Sequence, residues 1–324
     1  MKKLRFLTAC IVICSMTLTF VSASEVQSPK IVFADSEDAQ AEETSVQTEK
    51  LFVEYEDGEN NVKDWLDAIE GFFSVSAIEE TNASAAFQEE VLRTWFIEDT
   101  TFVSIRDFVE RNYPDAVFTY DNGKVTVSHD GFYMEFVEGN IYYYVNGRIL
   151  PLTRPCFESD GCFYVPIRAL AYIYSYDVSW DEPSFTATLN ENGKVLLSGE
   201  EFYDYDDYIL LAKLIRAESG NQPLEGKIAV GNVVMNRVKN SSFPDSISGV
   251  IYDRRSGIQF TTAYNGSLNA KPTEECLVAA KLCLEGYSVT DDSLYFFNPD
   301  ACSGSWIRNN KTYVTKIGNH VFYS

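Results

Sequence analysis

The sequence places one carboxylate where a general acid could work. Leu211, Leu214 and Ile215 recur at the spacing of one helix face, and Glu218 continues this apolar stripe one turn later. Partial burial disfavours the charged form of a carboxylate, and the negative end of a helix dipole acts in the same direction. We therefore expect a raised pKa for Glu218, which is the property that a group needs in order to protonate a leaving oxygen.

Amide, hydroxyl and aromatic side chains suited to sugars follow Glu218 in the chain. A glycan groove needs neutral hydrogen-bonding groups as well as flat apolar rings. Packing in a core is the alternative for each ring taken singly. The candidate substrate-binding residues are Gln259, Phe260, Thr261, Tyr295, Asn298 and Trp306.

Three helices, a strand and a hairpin are predicted to position these side chains. Asp204 can cap the first helix and Thr273 the third, while Pro223 opens the second. The predicted ranges are about 205–219, 223–239 and 273–285 for the helices, 294–297 for the strand and 313–323 for the hairpin.

The chain contains two histidines, His129 and His320. Zinc sites and catalytic triads that use two or three histidines are therefore not expected. Neither a metal nor a cofactor is predicted.

Charge divides the chain near Glu200. The 324 residues carry a net charge of −22, yet residues 202–324 hold 12 basic and 13 acidic groups, and residues 24–201 hold 11 and 35. This acidity argues against nucleic-acid partners and against adsorption to an anionic membrane surface, because both need a basic face. The balanced part, 202–324, is predicted to be a separate domain.

The N-terminus is typical of a secretory signal peptide. Lys2, Lys3 and Arg5 precede an apolar run, and a small-residue cleavage site ends at Ala23. We predict a signal peptide at 1–23, with an uncleaved anchor as the alternative, and a secreted protein with no membrane contact after cleavage. Residues 24–94 are predicted to be an acidic, largely flexible segment.

Residues 95–200 alternate apolar and polar residues between turn signals, which predicts a β-rich domain. A weak internal repeat relates Phe102–Arg106 to Tyr164–Arg168. A turn lies between Cys156 and Cys162, so the sequence allows a disulfide between them across a hairpin. Tyrosines at 142–144 and 172–176 could stack on sugars or belong to the sheet.

This β-rich region resembles the stalk-like domain named after the N-terminus of copper amine oxidases. The resemblance rests on Val145–Gly147, Val165–Leu170 and Val178–Asp181. It implies a spacer or a module for attachment to the cell wall of a Gram-positive bacterium. The family name does not imply metal here, because the stretch offers a single histidine and no ligand cluster.

The C-terminal region resembles the cell wall hydrolase SleB family, which includes spore cortex-lytic enzymes. The resemblance implies a lysozyme-like α+β domain, mostly helical with a small β-hairpin sheet, that acts on peptidoglycan in the wall or spore envelope. It places the catalytic acid at Glu218 and favours a groove position for Gln259 and Asn298. The family's frequent second glutamate is Gln222 here, and Glu225 is interpreted as structural. The matching segments include Leu211–Val230, Val233–Val238, Ser248–Tyr252, Gln259–Phe260, Ser293–Pro299, Trp306 and Ile317–Phe322.

A single acid favours a lytic transglycosylase, in which Glu218 serves first as acid and then as base. Hydrolysis through a second carboxylate, from Asp245, Asp253, Glu274 or Glu285, stays open. Three further functions are compatible with the sequence, namely an amidase that cuts the stem peptide, a thiol peptidase built on Cys302 and His320, and a wall-binding protein without catalysis.

Overall fold

A computed structural model describes residues 28–34 and 92–324. The predicted signal peptide and most of the acidic segment lie outside these residues. Within the described ranges, no helix has both the length and the apolar character needed to cross a bilayer. The predicted combination of helices and sheets is confirmed. Among the described residues, most strands lie in the N-terminal part of the chain and most helices in the C-terminal part.

Where the structure describes it, the N-terminal part contains three sheets and two helices. The first sheet has the order β1-β12-β11, the second β2-β3-β10-β9 and the third β4 to β8 in sequence order. The strands are β1 (Lys30–Phe33), β2 (Thr94–Ile97), β3 (Thr100–Ser104), β4 (Val117–Asp121), β5 (Lys124–His129), β6 (Phe132–Val137), β7 (Tyr142–Val145), β8 (Arg148–Pro151), β9 (Phe157–Ser159), β10 (Cys162–Pro166), β11 (Tyr176–Asp181) and β12 (Thr186–Glu191). The helices are α1 (Ile105–Asn112) and α2 (Ile167–Ile173).

Strand β1 lies within the segment at 24–94 that is predicted to be acidic and largely flexible. Lys30 pairs with Thr186 and Phe33 with Leu189 in parallel register, so these residues extend the first sheet. The strand contains a β-branched pair and an aromatic ring, which suit a half-buried sheet position. Four residues are too few to show the two-residue alternation of a strand. The prediction of a largely flexible segment therefore rests on the acidic composition around them.

Both predicted repeat segments form a strand followed by a helix. β3 leads into α1, and β10 leads into α2. The two strands pair antiparallel, with Val103 opposite Val165, and Phe108 and Leu170 from the two helices are buried in the same core.

The disulfide considered between Cys156 and Cys162 is absent. Both thiols are free and buried. Cys162 lies opposite Ser159 across the β9–β10 hairpin. Cys156 precedes β9, and its backbone forms an isolated β-bridge with that of Glu138. The hairpin register therefore directs the two cysteines to different neighbours.

The C-terminal part packs helices around a shared core beside an antiparallel sheet of order β13-β15-β14. Gly231 permits close packing, because a Cβ there would lie 2.5 Å from Cys283 Sγ. The elements are α3 (Gly199–Phe202), α4 (Tyr205–Ser219), α5 (Leu224–Lys239), α6 (Ile247–Ile251), the 3₁₀ turns η1 (Thr261–Ala263) and η2 (Ser267–Asn269), α7 (Glu274–Leu284), β13 (Tyr295–Phe297), α8 (Ser305–Asn310), β14 (Tyr313–Ile317) and β15 (His320–Tyr323).

The two parts contact each other through β7, β8 and α7. Arg148 on β8 forms a buried ion pair with Glu285, and Lys281 donates to the carbonyl of Gly147 at 2.6 Å. Tyr142 and Tyr144 pack against the C-terminal core, so these two rings serve the contact between the parts rather than an open sugar-binding face.

Candidate active site

Glu218 lies in the last turn of α4, at the edge of the core. Asp204 caps the start of this helix by accepting from the Asp207 amide at 3.0 Å. Leu211 and Leu214 are fully buried, so they fix the rotation of the helix. The helix ends where the Gly220 amide donates to the Arg216 carbonyl at 3.0 Å. The apolar stripe therefore holds Glu218 at the boundary between core and solvent.

The carboxyl group of Glu218 is half-buried and hydrogen-bonded. Burial raises its pKa, which confirms the predicted direction. Thr262 Oγ1 donates a hydrogen bond to Glu218 Oε1, and this bond and the charge of Arg237 both act to lower the pKa. Desolvation is the strongest of these effects. Glu218 therefore keeps its proton up to a higher pH than a solvated glutamate does.

Thr262 contacts the acid, and Thr261, which is predicted to bind substrate, precedes it in the chain. Both residues belong to η1, which the buried ring of Phe260 anchors from the preceding position. Adjacent residues of a 3₁₀ turn point in different directions, so only one of the two hydroxyls reaches Glu218. The sequence shows two adjacent threonines, but which of them reaches Glu218 depends on the geometry of the turn.

The predicted amides form local hydrogen bonds. Gln259 Nε2 donates to the Gly257 carbonyl at 3.3 Å, and Asn298 Oδ1 accepts from the Asp300 amide at 2.9 Å. Both side chains remain partly exposed. The structure shows how their loops are held, and a role in substrate binding stays a prediction.

Tyr295 and Trp306 form an aromatic surface at the end of the sheet. Their ring centroids lie 6.0 Å apart in an edge-to-face arrangement, and Trp306 is 60% exposed. The ammonium of Lys311 lies 4.3 Å from the centre of the Tyr295 ring. An exposed indole of this kind can stack on the apolar face of a sugar.

Gln222 replaces a second acid with a structural contact. Its side chain is buried, and Oε1 accepts from the Asn319 amide at 2.8 Å. This bond ties the turn after α4 to the β14–β15 hairpin turn. Glu225 is exposed in the first turn of α5, in a favourable position for its charge.

Arg237, near the end of α5, is a residue of this region that the sequence pattern did not single out. It is 4% exposed, and its Nε donates to the Leu294 carbonyl at 2.8 Å. Burial lowers its pKa to about 10, while Tyr295, Asp253 and Glu218 act in the opposite direction. The motif that contains it was visible in the sequence, but an arginine at a helix end is ordinarily a solvated one.

The four carboxylates considered as a second acid lie in different settings. Asp253 accepts from Arg255, which lowers its pKa, with Nε and Oδ1 3.1 Å apart. Glu285 is buried in the contact with the N-terminal part. Asp245 and Glu274 are exposed. Glu285 is therefore unsuited to activate water beside Glu218.

The Cys302 and His320 pair is not assembled. Cys302 is exposed, whereas His320 is buried and lies with its ring centroid 5.2 Å from that of Phe296. Burial lowers the pKa of His320. Across residues 28–34 and 92–324, no group of three or more His, Cys, Asp or Glu side chains is arranged to hold a metal ion.

A cavity of about 360 Å³ opens beside the end of α4. Arg216, Ala217 and Gly220 line it from the helix, although Glu218 itself is not part of the lining. The other walls come from the η2 loop and the start of α7. The cavity thus borders the end of α4 on the side of Arg216 and Gly220.

Two sequence families match the chain. The copper amine oxidase N-terminal domain matches residues 89–189, and the cell wall hydrolase family matches residues 221–323. The second match begins just after Glu218, so it does not test the role of that residue.

Individual relatives cover the C-terminal part. A spore cortex-lytic enzyme of Bacillus cereus is 36% identical over 120 residues, which are 37% of this chain and 45% of the relative. The chain thus spans less than half the length of that enzyme. Cell wall hydrolase CwlJ of Bacillus subtilis is 30% identical over 122 residues, which are 36% of this chain and 84% of CwlJ.

One of the matching solved structures is the catalytic domain of the germination-specific lytic transglycosylase SleB from Bacillus anthracis. It is 34% identical in sequence, with a TM-score of 0.35, and the match covers 38% of this chain and 97% of that domain.

Proposed function

The chain belongs to the cell wall hydrolase family, and from this premise we propose that it cleaves peptidoglycan glycan strands as a lytic transglycosylase. The scissile bond joins N-acetylmuramate to N-acetylglucosamine. The observation that carries the proposal is the half-buried carboxyl of Glu218, which the Thr262 hydroxyl holds by a hydrogen bond and whose pKa is raised by burial. Such a group can hold a proton until a glycosidic oxygen takes it.

Glu218 acts twice in the proposed reaction. It first gives its proton to the glycosidic oxygen, so the bond from that oxygen to the muramate anomeric carbon breaks. The ionised carboxylate then takes the proton of the muramate primary hydroxyl, whose oxygen bonds to the anomeric carbon. The product is a 1,6-anhydro ring, and Glu218 is protonated again. Neither water nor a second carboxylate takes part.

The surrounding residues are proposed to support these steps. Thr262 orients the carboxyl through its hydrogen bond, and this bond strengthens as charge develops on Glu218. Tyr295 and Trp306 offer faces on which sugar rings of the strand can stack. Gln259, Phe260, Thr261 and Asn298 stay in the proposed groove; Phe260 acts there through its packing, since its ring is buried.

We also propose a domain organisation and a location for the whole chain. We propose a lysozyme-like domain at 202–324, a signal peptide at 1–23 and action in the wall or spore envelope outside the cell. The stalk-like part at 95–200 would then attach to the wall or set the distance of the catalytic part from it. The contact through Arg148 and Glu285 supports a fixed arrangement of the two parts.

Mass spectrometry of digested peptidoglycan tests the proposal. The full chain without residues 1–23 is incubated with vegetative walls and with spore cortex. We expect anhydromuramyl ends from at least one of them. New reducing ends would indicate hydrolysis instead, free stem peptides an amidase, and bound strands without products a wall-binding protein.

A further inference from the structure

Arg237 is a buried cation enclosed by aromatic rings. Its guanidinium carbon lies 5.0 Å from the ring centre of Phe243, 5.1 Å from that of Phe260 and 5.6 Å from that of Tyr295. Its Nη1 is buried without a hydrogen-bond partner among the residues that the structure describes. A buried charge is costly unless an opposite charge or hydrogen bonds compensate it. The rings compensate part of this cost, and the two N–H groups of Nη1 remain unused.

The enclosure connects Arg237 to the acid. Phe260 contacts the guanidinium and leads directly into η1, from which Thr262 holds the carboxyl of Glu218. Asp253, the other acidic group that acts on Arg237, is already bonded to Arg255. Glu218 is therefore the acidic neighbour whose charge Arg237 can still compensate.

The titratable groups that face this pair come from four elements. Glu218 lies on α4 and Arg237 on α5, Asp253 follows α6, and Tyr295 lies on β13. Arg237 is the charged group that acts on Glu218 within the described part of the chain. Removal of this positive charge should therefore raise the pKa of Glu218.

We propose that Arg237 is a positioning residue whose charge stabilises the carboxylate form of Glu218 after the proton has moved to the glycosidic oxygen. This inference rests on the proposed function. Within residues 28–34 and 92–324, Glu218 forms no direct ion pair, and its carboxyl oxygen accepts from Thr262. The charge of Arg237 offsets part of the desolvation cost once the carboxylate forms, so the same group can work as acid and then as base.

The test compares three charge-altering variants of the full chain. Arg237→Gln removes the charge but can keep a donor for the Leu294 carbonyl, and Arg237→Lys keeps the charge. Lys239→Met removes an equal charge from an exposed position on the same helix and serves as the control. The readouts are the pKa of Glu218 by carbon NMR, assigned with Glu218→Gln, and the pH profile of kcat/KM.

We expect Arg237→Gln to raise the pKa of Glu218 and to move the alkaline limb of kcat/KM up by about one pH unit. Arg237→Lys and Lys239→Met should leave both values near those of the wild type. Equal pKa values of Glu218 in wild type and Arg237→Gln would overturn the inference. If Arg237→Gln does not fold, Arg237→Lys serves as the test. A shift of the alkaline limb of kcat/KM in Arg237→Lys, which keeps the charge, would then overturn the inference.

The two readouts separate the inference from the proposed function. The NMR titration needs no turnover, so a change in the pKa of Glu218 is measurable in a protein that releases no products. Absence of products from wild type refutes the proposed function, whereas an unchanged pKa refutes the role of Arg237.

Discussion

The contact between the two parts of the chain gives a prediction with a defined magnitude. Arg148 and Glu285 form a bidentate pair, with Nε to Oε1 at 2.9 Å and Nη2 to Oε2 at 2.6 Å. Their side chains are 3% and 4% exposed, and the Tyr203 hydroxyl also donates to Oε1 at 2.5 Å. Phe202 lies under the guanidinium, 3.8 Å from its carbon. Each charge is thus compensated almost entirely by its partner and these neighbours.

Replacement of one partner leaves the other charge buried without compensation. Arg148→Met and Glu285→Leu should each lower the free energy of unfolding by about 3–5 kcal/mol. The double variant removes both charges together, so its loss should be smaller than that of either single variant. The sheet and the helices are then expected to stay in contact through Tyr142 and Tyr144.

Urea denaturation followed by fluorescence measures these losses. Trp180 reports on the β-rich part and Trp306 on the C-terminal part. We expect one shared transition in wild type and two separate transitions in the single variants. Single variants that lose less than about 1 kcal/mol, the range of solvent-exposed pairs, would refute the reasoning. A double variant that loses the sum of the two would refute it too.

Three further predictions concern the packing and the acid. Gly231→Ala should lower the free energy of unfolding by about 1–3 kcal/mol in urea, because its methyl group would overlap Cys283; a neutral result contradicts the close packing. Thr262→Val removes a bond that lowers the pKa of Glu218, so the alkaline limb of kcat/KM should move to higher pH; an unmoved limb contradicts this. Burial raises the folded-state pKa of Glu218, so wild type loses stability as pH rises through that pKa. Glu218→Gln should therefore melt higher than wild type above that pKa and equally below the unfolded-state pKa; a constant difference across pH contradicts the sign.

Helix periodicity predicted much of the C-terminal part. The apolar stripe gave the bounds of α4, found at Tyr205–Ser219, and placed Glu218 at the edge of the core. Caps and turn residues gave α7 and the turn of the final hairpin. These features depend on residues close together in the chain, so local physical chemistry determines them.

Contacts between distant segments were not predictable in the same way. Thr262 and Arg237 reach the region of Glu218 only after η1 and α5 have packed against α4. Strand β1 pairs with a segment far along the chain, and its acidic surroundings masked it. Tyr144 has the sequence signature of a sheet surface, and only the docked α7 shows that this surface is covered.

Product release by a matched pair of variants tests the central role of Glu218 most directly. Glu218→Gln keeps an acceptor for the Thr262 hydroxyl, and Glu225→Gln makes the same change at an exposed position on the next helix. With peptidoglycan as substrate, Glu225→Gln should release anhydromuramyl products at the wild-type rate, and folded Glu218→Gln should release none. Turnover retained by Glu218→Gln would contradict the assignment of the acid.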